Sequence, residues 1–470
     1  MIFSSVAFLS IFLPVSFLLY LLMPGMRAKN AFLIVASLAF YAYGEPVYVL
    51  ILLASAVLNW VLGQVIQGCV GKTARTVSAG VGVAGNLAFL LVFKYAGWIV
   101  SLLNEHLGLH IHSIHLELPI GISFYTFEAL SYVIDVHRGR VAAQRNFFKM
   151  LLYISLFPKM MAGPIIRYAE LERQLSHRTV TLSGAATGLR RVSVGLAKKV
   201  LIAIPLSTTA DSVFSAPHGQ INVTVAWIGA VAFLGQIYFD FSGYSDMAIG
   251  LARMFGFSYA ENFDHPYVSS TVQEFWRRWH MTLNLWFRDY LYIPLGGNRR
   301  GRMRASLNRI IVFALCGLWH GANLTFLVWG LFHGFFLVFE DRVPMRRLWR
   351  PIGVIYTLLV VCVGFVIFRA ADFSQAFFML REMFTGFRFP QLAVARGRWT
   401  LDPVTVTVFI AGAVAATPYP ARAVRALRDR WPTLKPIVSY ASYLAALVLF
   451  VECLLSLSLG GYHPFIYFRF

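Results

Sequence analysis

Nine apolar runs, each about as long as a bilayer is thick, set the fold class: 2–23, 47–66, 78–103, 118–136, 192–214, 223–241, 351–370, 401–420 and 436–459. At about 1.5 Å per residue, a helix of some 20 apolar residues crosses the roughly 30 Å of hydrocarbon. A shorter run at 30–44 crosses if it is tilted or extended. Composition agrees: 58% of residues are apolar and 13% are charged, against about 45–50% and about 25% in soluble domains. A globule so apolar has too little polar surface to meet water. A water-soluble enzyme, a disordered chain and a coiled coil are excluded. The predicted fold is an all-α polytopic membrane protein, one domain over 1–470, with the lipid bilayer around it.

Lys plus Arg number 41 and Asp plus Glu 21, a formal charge of +20. The basic residues fall between the apolar runs, where they mark cytoplasmic loops, so no nucleic-acid partner is expected. Residues 1–23 carry no Lys or Arg and no small-residue cleavage site, which predicts a first membrane helix entered from outside rather than a cleaved leader. Arg27 and Lys29, Lys72 and Arg75, then Arg138, Arg140 and Arg145 mark successive inner loops. The 105–117 loop, with four histidines and no Lys or Arg, is outer. Its His110, His112 and His115 lack an ordered scaffold and acidic partners, and no metal site is expected. Cys69, Cys316, Cys362 and Cys453 lie far apart, which fits buried thiols rather than a disulfide or zinc framework.

The alternation breaks twice. The stretch 148–165 lies between basic loops and is too short to cross twice, so a re-entrant or interfacial hairpin is expected, ended by Gly163-Pro164. The stretch 310–340 lies between Arg299–Arg309 and Arg342–Arg350. It allows two short spans or a hairpin turning at Gly321-Ala322-Asn323. Irregular backbone at that depth is tolerated only inside protein or beside a cavity. The count is ten crossings plus two hairpins, with both termini outside. The segment 257–301 interleaves charges and aromatics without an apolar run. From Thr271 to Tyr292 the aromatic spacing predicts an amphipathic helix at the cytoplasmic interface.

Polar groups at membrane depth are costly and mark candidate function: Lys94, Glu128, Asp135, Lys159, Asp240, Asp246, His280, His320, His333 and Glu452. Structural readings stand beside them. Lys94 and Asp135 lie near predicted helix ends and can snorkel. Glu128 can pair inside the bundle. Asp240 and Asp246 flank an expected helix break at Ser242-Gly243 and can bind an inserted Arg. His320 differs, because it adjoins the second hairpin's break, with Asn323 and His333 nearby. An imidazole kept from water stays neutral and able to accept a proton, as a general base must. No nucleophile elbow, phosphate loop, dinucleotide fingerprint or H-E-x-x-H is present.

Several strings resemble the membrane-bound O-acyltransferases, especially the bacterial branch that acetylates alginate and cellulose. They are MIFSSVAFLSIFLPV at the start, LPIGISFYTFEALSYVIDV at 118–136, FPKMMAGPIIRY at 157–168, QIYFDFSGYSDMAIGLARMFGF at 236–257, ENFDHPYVSSTVQEFWRRWHMTLNLWFRDYLYIPLGGNR at 261–299, GLWHGANLTFLVWGLFHG at 317–334 and the closing HPFIYFRF. The resemblance covers nearly the whole chain. It implies a ring of helices around a thin central region with a tunnel through the membrane. The family's invariant histidine maps onto His320 and its second catalytic position onto His280. His333 matches a further histidine of the branch. In the implied reaction His320 takes the proton of an acceptor hydroxyl. His280, Asn323 or Asn284 holds the donor carbonyl and its developing charge. Trp276, Arg277 and Arg278 sit where a cytoplasmic acetyl thioester such as acetyl-CoA would dock as substrate, with no cofactor held permanently. A periplasmic acetyltransferase subunit and the polysaccharide export machinery are the implied partners, and a bacterial inner membrane the implied location. D-alanyl transfer to teichoic acid, or a transporter or channel without catalysis, are the alternatives. The chain is shorter than alginate members after about residue 385, and Phe332 stands before His333 where Trp is common.

Overall fold

A computed structural model describes residues 2–112, 116–460 and Phe465, and among these the chain is helical throughout, without strands. His115 and the closing string, Phe465 excepted, lie outside the described residues. The helices are α1 (Phe8–Leu22), α2 (Gly25–Ala42), α3 (Val49–Gly68), α4 (Lys72–Leu107), α5 (Ile122–His137), α6 (Phe147–Ser155), α7 (Phe157–Met160), α8 (Tyr168–Ser176), α9 (Leu182–Phe214) and α10 (Val223–Met254). There follow α11 (Val272–Arg278), α12 (Met281–Phe287), α13 (Gly301–His320), α14 (Leu324–Arg342), α15 (Arg350–Arg369), α16 (Phe373–Thr385), α17 (Gln391–Thr400), α18 (Pro403–Ala415), α19 (Tyr419–Arg430) and α20 (Lys435–Leu459). They form two compact units: Met1–Val192 with Met247–Ala260, and Ser193–Asp246 with Glu261–Phe470.

Seven helices among the described residues are long and apolar enough to cross a membrane, or eight if the bent pair α18 and α19 is one span. This makes the protein a multi-pass membrane protein and corrects the expected ten crossings. The run at 2–23 yields only the short helix α1. The run at 30–44 belongs to an 18-residue helix that opens with Arg27 and Lys29. The run at 118–136 becomes α5, whose 16 residues reach about 24 Å. Nearly all of α5 is buried, so its apolar residues face protein on every side.

In the first unit α5 is packed by α3 and α4. Its Glu128 forms a buried ion pair with Lys159 of α7, and Glu128 Oε1 also accepts from Ile166 N at 3.2 Å. The Lys159 ammonium lies 4.7 Å from the centre of the Tyr153 ring. The stretch expected to form the first hairpin holds α6 and α7, of 9 and 4 residues, both too short to cross and both largely buried. Asp135 does not snorkel; it is buried, with Arg140 Nη1 at 3.6 Å. Lys94 lies well inside α4 rather than at its end.

The helix α10 runs unbroken for 32 residues, which corrects the expected break at Ser242-Gly243. The glycine serves packing instead: a Cβ on Gly243 would lie 2.6 Å from the Gly195 carbonyl oxygen of α9. At this close approach two ion pairs form. Lys198 Nζ lies 2.6 Å from Asp246 Oδ2, and Lys199 Nζ lies 2.6 Å from Asp240 Oδ1. The two aspartates therefore hold lysines from α9. Lys198 and Lys199 open a π turn, Lys198–Ala203, within α9.

The second hairpin breaks where expected. α13 ends at His320, and α14 starts after Asn323, whose Oδ1 accepts from Thr325 N at 3.1 Å as its N-cap. The arms are 20 and 19 residues long, so each can reach about 30 Å. They meet glycine on glycine: a Cβ on Gly317 would overlap the Phe326 carbonyl oxygen, and one on Gly330 the Phe313 carbonyl oxygen. Arg309 pairs with Asp341 across the open end. Gly330→Leu is therefore expected to lower stability by about 1–3 kcal/mol through overpacking, read as a lower unfolding midpoint in detergent. Gly80→Ala, into open space, is the control and leaves the midpoint unchanged or raised.

Candidate active site

Both catalytic candidates lie in the second unit. His320 is the last residue of α13, so its ring is placed by the helix end and by the turn that follows. It is 5% exposed, which excludes a side chain turned toward lipid. Three aromatic rings wall it edge-on: Trp319 at 4.9 Å, Trp329 at 5.1 Å and Phe368 at 5.3 Å between centroids.

His280 joins α11 to α12 and breaks the continuous amphipathic helix expected over 271–292. Its φ of 44° and ψ of 54° lie in the left-handed region, which costs a residue with a Cβ about 1–3 kcal/mol. The segment before α11 holds the turn in place. Met281 N donates to the Asn262 carbonyl at 2.9 Å, and Asp264 N donates to the Arg278 carbonyl at 3.0 Å. His280 Nδ1 lies 3.1 Å from Asn262 Oδ1, and Nε2 is buried with no hydrogen-bond partner among the described residues. The ring meets Phe241 of α10 edge-on at 4.6 Å and Trp319 at 6.3 Å. His280 and His320 thus share Trp319 as a neighbour. Burial pushes the His280 pKa down to about 3, so the ring is neutral near pH 7.

The aromatic residues of 271–292 turn inward rather than toward an interface. Trp276 packs on Phe313 at 4.9 Å and on Trp329 at 5.7 Å, and Trp279 packs on Phe263 at 5.1 Å. The reason is anchorage at the N-terminal end of α11. Thr271 Oγ1 accepts from Glu274 N at 3.0 Å, and the Glu340 carboxylate of α14 accepts from Val272 N at 2.6 Å and Gln273 N at 2.9 Å. Trp276 Nε1 donates to His333 Nδ1 at 3.4 Å, which puts the fully buried His333 beside Trp329, 5.1 Å away, and one aromatic ring from His320.

The polar candidates divide. Asn284 Nδ2 donates to the Trp276 carbonyl at 2.7 Å and so fastens α12 to α11. Asn323 Nδ2 donates to the Ala371 carbonyl at 3.0 Å, while its oxygen caps α14. Both amides are engaged in holding backbone. Arg278 pairs with Glu274 at 2.9 Å and with Asp264 at 3.3 Å, whereas Arg277 is exposed. Glu452 is exposed on α20. Among the described residues no three His, Cys, Asp or Glu side chains gather as metal ligands. A largely apolar cavity of about 580 Å³ in this unit, edged by Arg350 and Tyr419, is not lined by His280, His320 or His333. Sequence reasoning did not single out Asn262, Phe241 or the Trp319–Trp329–Phe368 wall. The available signal was their place in the matching strings: Asn262 shares one with His280, Phe241 lies in the 236–257 string, and Trp319 and Trp329 lie in the 317–334 string.

The chain is similar along its length to known acyl-transfer proteins. It is 38% identical to the probable alginate O-acetylase of Pseudomonas aeruginosa, with all of both chains covered. It is 32% identical to the peptidoglycan O-acetyltransferase of Helicobacter pylori over 82% of this chain and 80% of that one. Identity to the teichoic acid D-alanyltransferase of Bacillus subtilis is 26%, over 54% of this chain and 70% of that one. The profile of the membrane-bound O-acyltransferase family matches residues 126–371, a stretch that includes most of α5, the His280 turn and the whole α13–α14 hairpin. Polytopic helices, two buried imidazoles brought to one tryptophan, and full-length similarity to acetylating enzymes lead to one conclusion: the chain belongs to the membrane-bound O-acyltransferase family and is an O-acyltransferase.

Proposed function

We propose that the protein transfers acetyl groups from a cytoplasmic thioester, such as acetyl-CoA, for the O-acetylation of an exported polysaccharide of the alginate or cellulose type. Transfer runs through the inner membrane and is completed by a periplasmic acetyltransferase subunit. The observation that carries the reading is His320, shielded from lipid by three aromatic rings at the hairpin's turn. The full-length similarity to probable alginate O-acetylases supports acetyl as the group and a polysaccharide as its destination.

In this reaction a hydroxyl oxygen of the acceptor attacks the thioester carbonyl carbon, and His320 takes the hydroxyl proton. The tetrahedral intermediate collapses with cleavage of the C–S bond. The imidazolium then returns the proton to the leaving thiolate, so an ester and a thiol form and the imidazole ends neutral. In this reading the exposed Arg277 and the basic stretch that follows attract the phosphates of the donor.

Membranes carrying the protein are to be offered radiolabelled acetyl-CoA or, separately, D-alanyl carrier protein. The expected result is acetyl label in the polysaccharide fraction, lowered about 100-fold in His280→Ala at equal protein level. Label from the alanyl carrier alone would replace acetyl by D-alanyl transfer. Undiminished label in both His280→Ala and His320→Ala would overturn the catalytic reading.

A further inference from the structure

Asn262 precedes α11 in sequence, yet it bonds to His280 at the strained turn and to the two residues that follow it. Its Oδ1 accepts from Thr282 N at 3.3 Å and from Thr282 Oγ1 at 2.9 Å, and its Nδ2 donates to Ser245 Oγ of α10 at 3.0 Å. A backbone N–H can only donate, so the amide atom facing Thr282 N is the oxygen. That same oxygen lies 3.1 Å from His280 Nδ1. Two acceptors cannot share a hydrogen bond, so Nδ1 carries the proton. In a neutral imidazole Nε2 is then the bare nitrogen.

We propose that Asn262 is the positioning residue of this site: it holds His280 as the Nδ1–H tautomer, so that Nε2 presents a lone pair and accepts a hydrogen bond from a substrate O–H or N–H. The assignment rests on the acyl-transfer reading above and reverses the polarity expected for His280 there. A nitrogen without hydrogen cannot donate to a developing oxyanion. Three observations agree. Nε2 is buried and meets no partner among the described residues. Among the described residues the groups packed on the ring, Phe241, Trp319 and Asn262, are all uncharged. Burial, with no charged neighbour contributing, keeps the ring neutral. The left-handed backbone at His280 is fixed by Asn262 as well, through the bond from Met281 N to its carbonyl. Side chain and backbone of one asparagine thus set where the imidazole sits and which nitrogen is free.

The test is a pH–rate series on membranes supplied with radiolabelled acetyl-CoA, for wild type, Asn262→Asp, Asn262→Leu and His280→Ala. The wild-type ring stays neutral between about pH 5 and 8, so His280 contributes no acidic limb there. In Asn262→Asp a carboxylate accepts from Nδ1–H and raises the His280 pKa. As pH falls through that raised pKa, Nε2 gains a proton and ceases to accept. An acidic limb is expected, with rate falling about tenfold per pH unit below it and near wild-type rate recovered at the alkaline end. Asn262→Leu is expected to lower kcat by about 10- to 100-fold with KM unchanged, since the tautomer is no longer held. A rate that rises at acid pH in Asn262→Asp would make His280 a donor and overturn the proposal. So would a flat profile in Asn262→Asp with undiminished kcat in Asn262→Leu, while His280→Ala is inactive; the acyl-transfer reading would survive that result. Full activity of His280→Ala would overturn both.

Discussion

His320→Ala is expected to abolish acetyl transfer while the protein still reaches the membrane in normal amount. Loss of a positioned proton acceptor is worth about 100- to 10,000-fold. The hairpin's turn is fixed by Asn323 and by the glycine contacts of Gly317 and Gly330. His320→Gln separates chemistry from packing, because glutamine nearly fills the site and stays neutral but does not take a proton near pH 7. Equal loss in both variants, with unchanged unfolding midpoints, is the expected outcome, read as acetyl label in polysaccharide against protein level. Full activity in His320→Gln would leave the imidazole without a catalytic part.

The second large effect concerns stability. Glu128→Leu leaves the Lys159 ammonium buried without its carboxylate, and Ile166 N without the oxygen it donates to. Breaking one side of a buried pair costs about 3–5 kcal/mol, whereas replacing both partners by apolar residues of similar size is often near neutral. The single variant is therefore expected to be poorly recovered and to unfold at markedly lower temperature in detergent. The double variant Glu128→Leu with Lys159→Met is expected to recover most of the loss. Acetyl transfer in the double variant tests whether the pair is scaffold. Near wild-type turnover there would place Glu128 outside the chemistry; loss of turnover with restored stability would place it inside.

Much of this architecture is legible in the sequence because lipid leaves few options. A run of apolar residues between basic loops must be helical, and a run flanked on both sides by arginine must turn back. That logic locates the break after His320, where Gly321 and the capping Asn323 provide the local chemistry for ending one helix and starting the next. It fails where tertiary packing overrides local signals. Ser242-Gly243 reads as a helix break, yet α10 passes through it, since the missing Cβ is used to admit α9. Thr271–Tyr292 reads as one amphipathic helix, yet it breaks at His280, because Asn262 captures the turn from a distance along the chain that no periodicity records. The length of α5 misleads for the same reason: a helix enclosed by protein is as apolar as one facing lipid. The site itself was readable as two histidines, but not as a hydrogen-bonded unit, since the partner that orients His280 is an ordinary asparagine until its neighbours are known.

The two lysine–aspartate contacts between α9 and α10 bear on how the chain enters the bilayer. A lysine or aspartate in mid-helix raises the free energy of insertion by about 2.5–3.5 kcal/mol. Taken singly, each of these helices would carry two such groups out of the translocon and into lipid. Released together as a neutralised pair, they present far less charge to hydrocarbon. Inserting α9 together with α10 is therefore less costly than inserting it alone, and the short 215–222 connection keeps the two helices close along the chain.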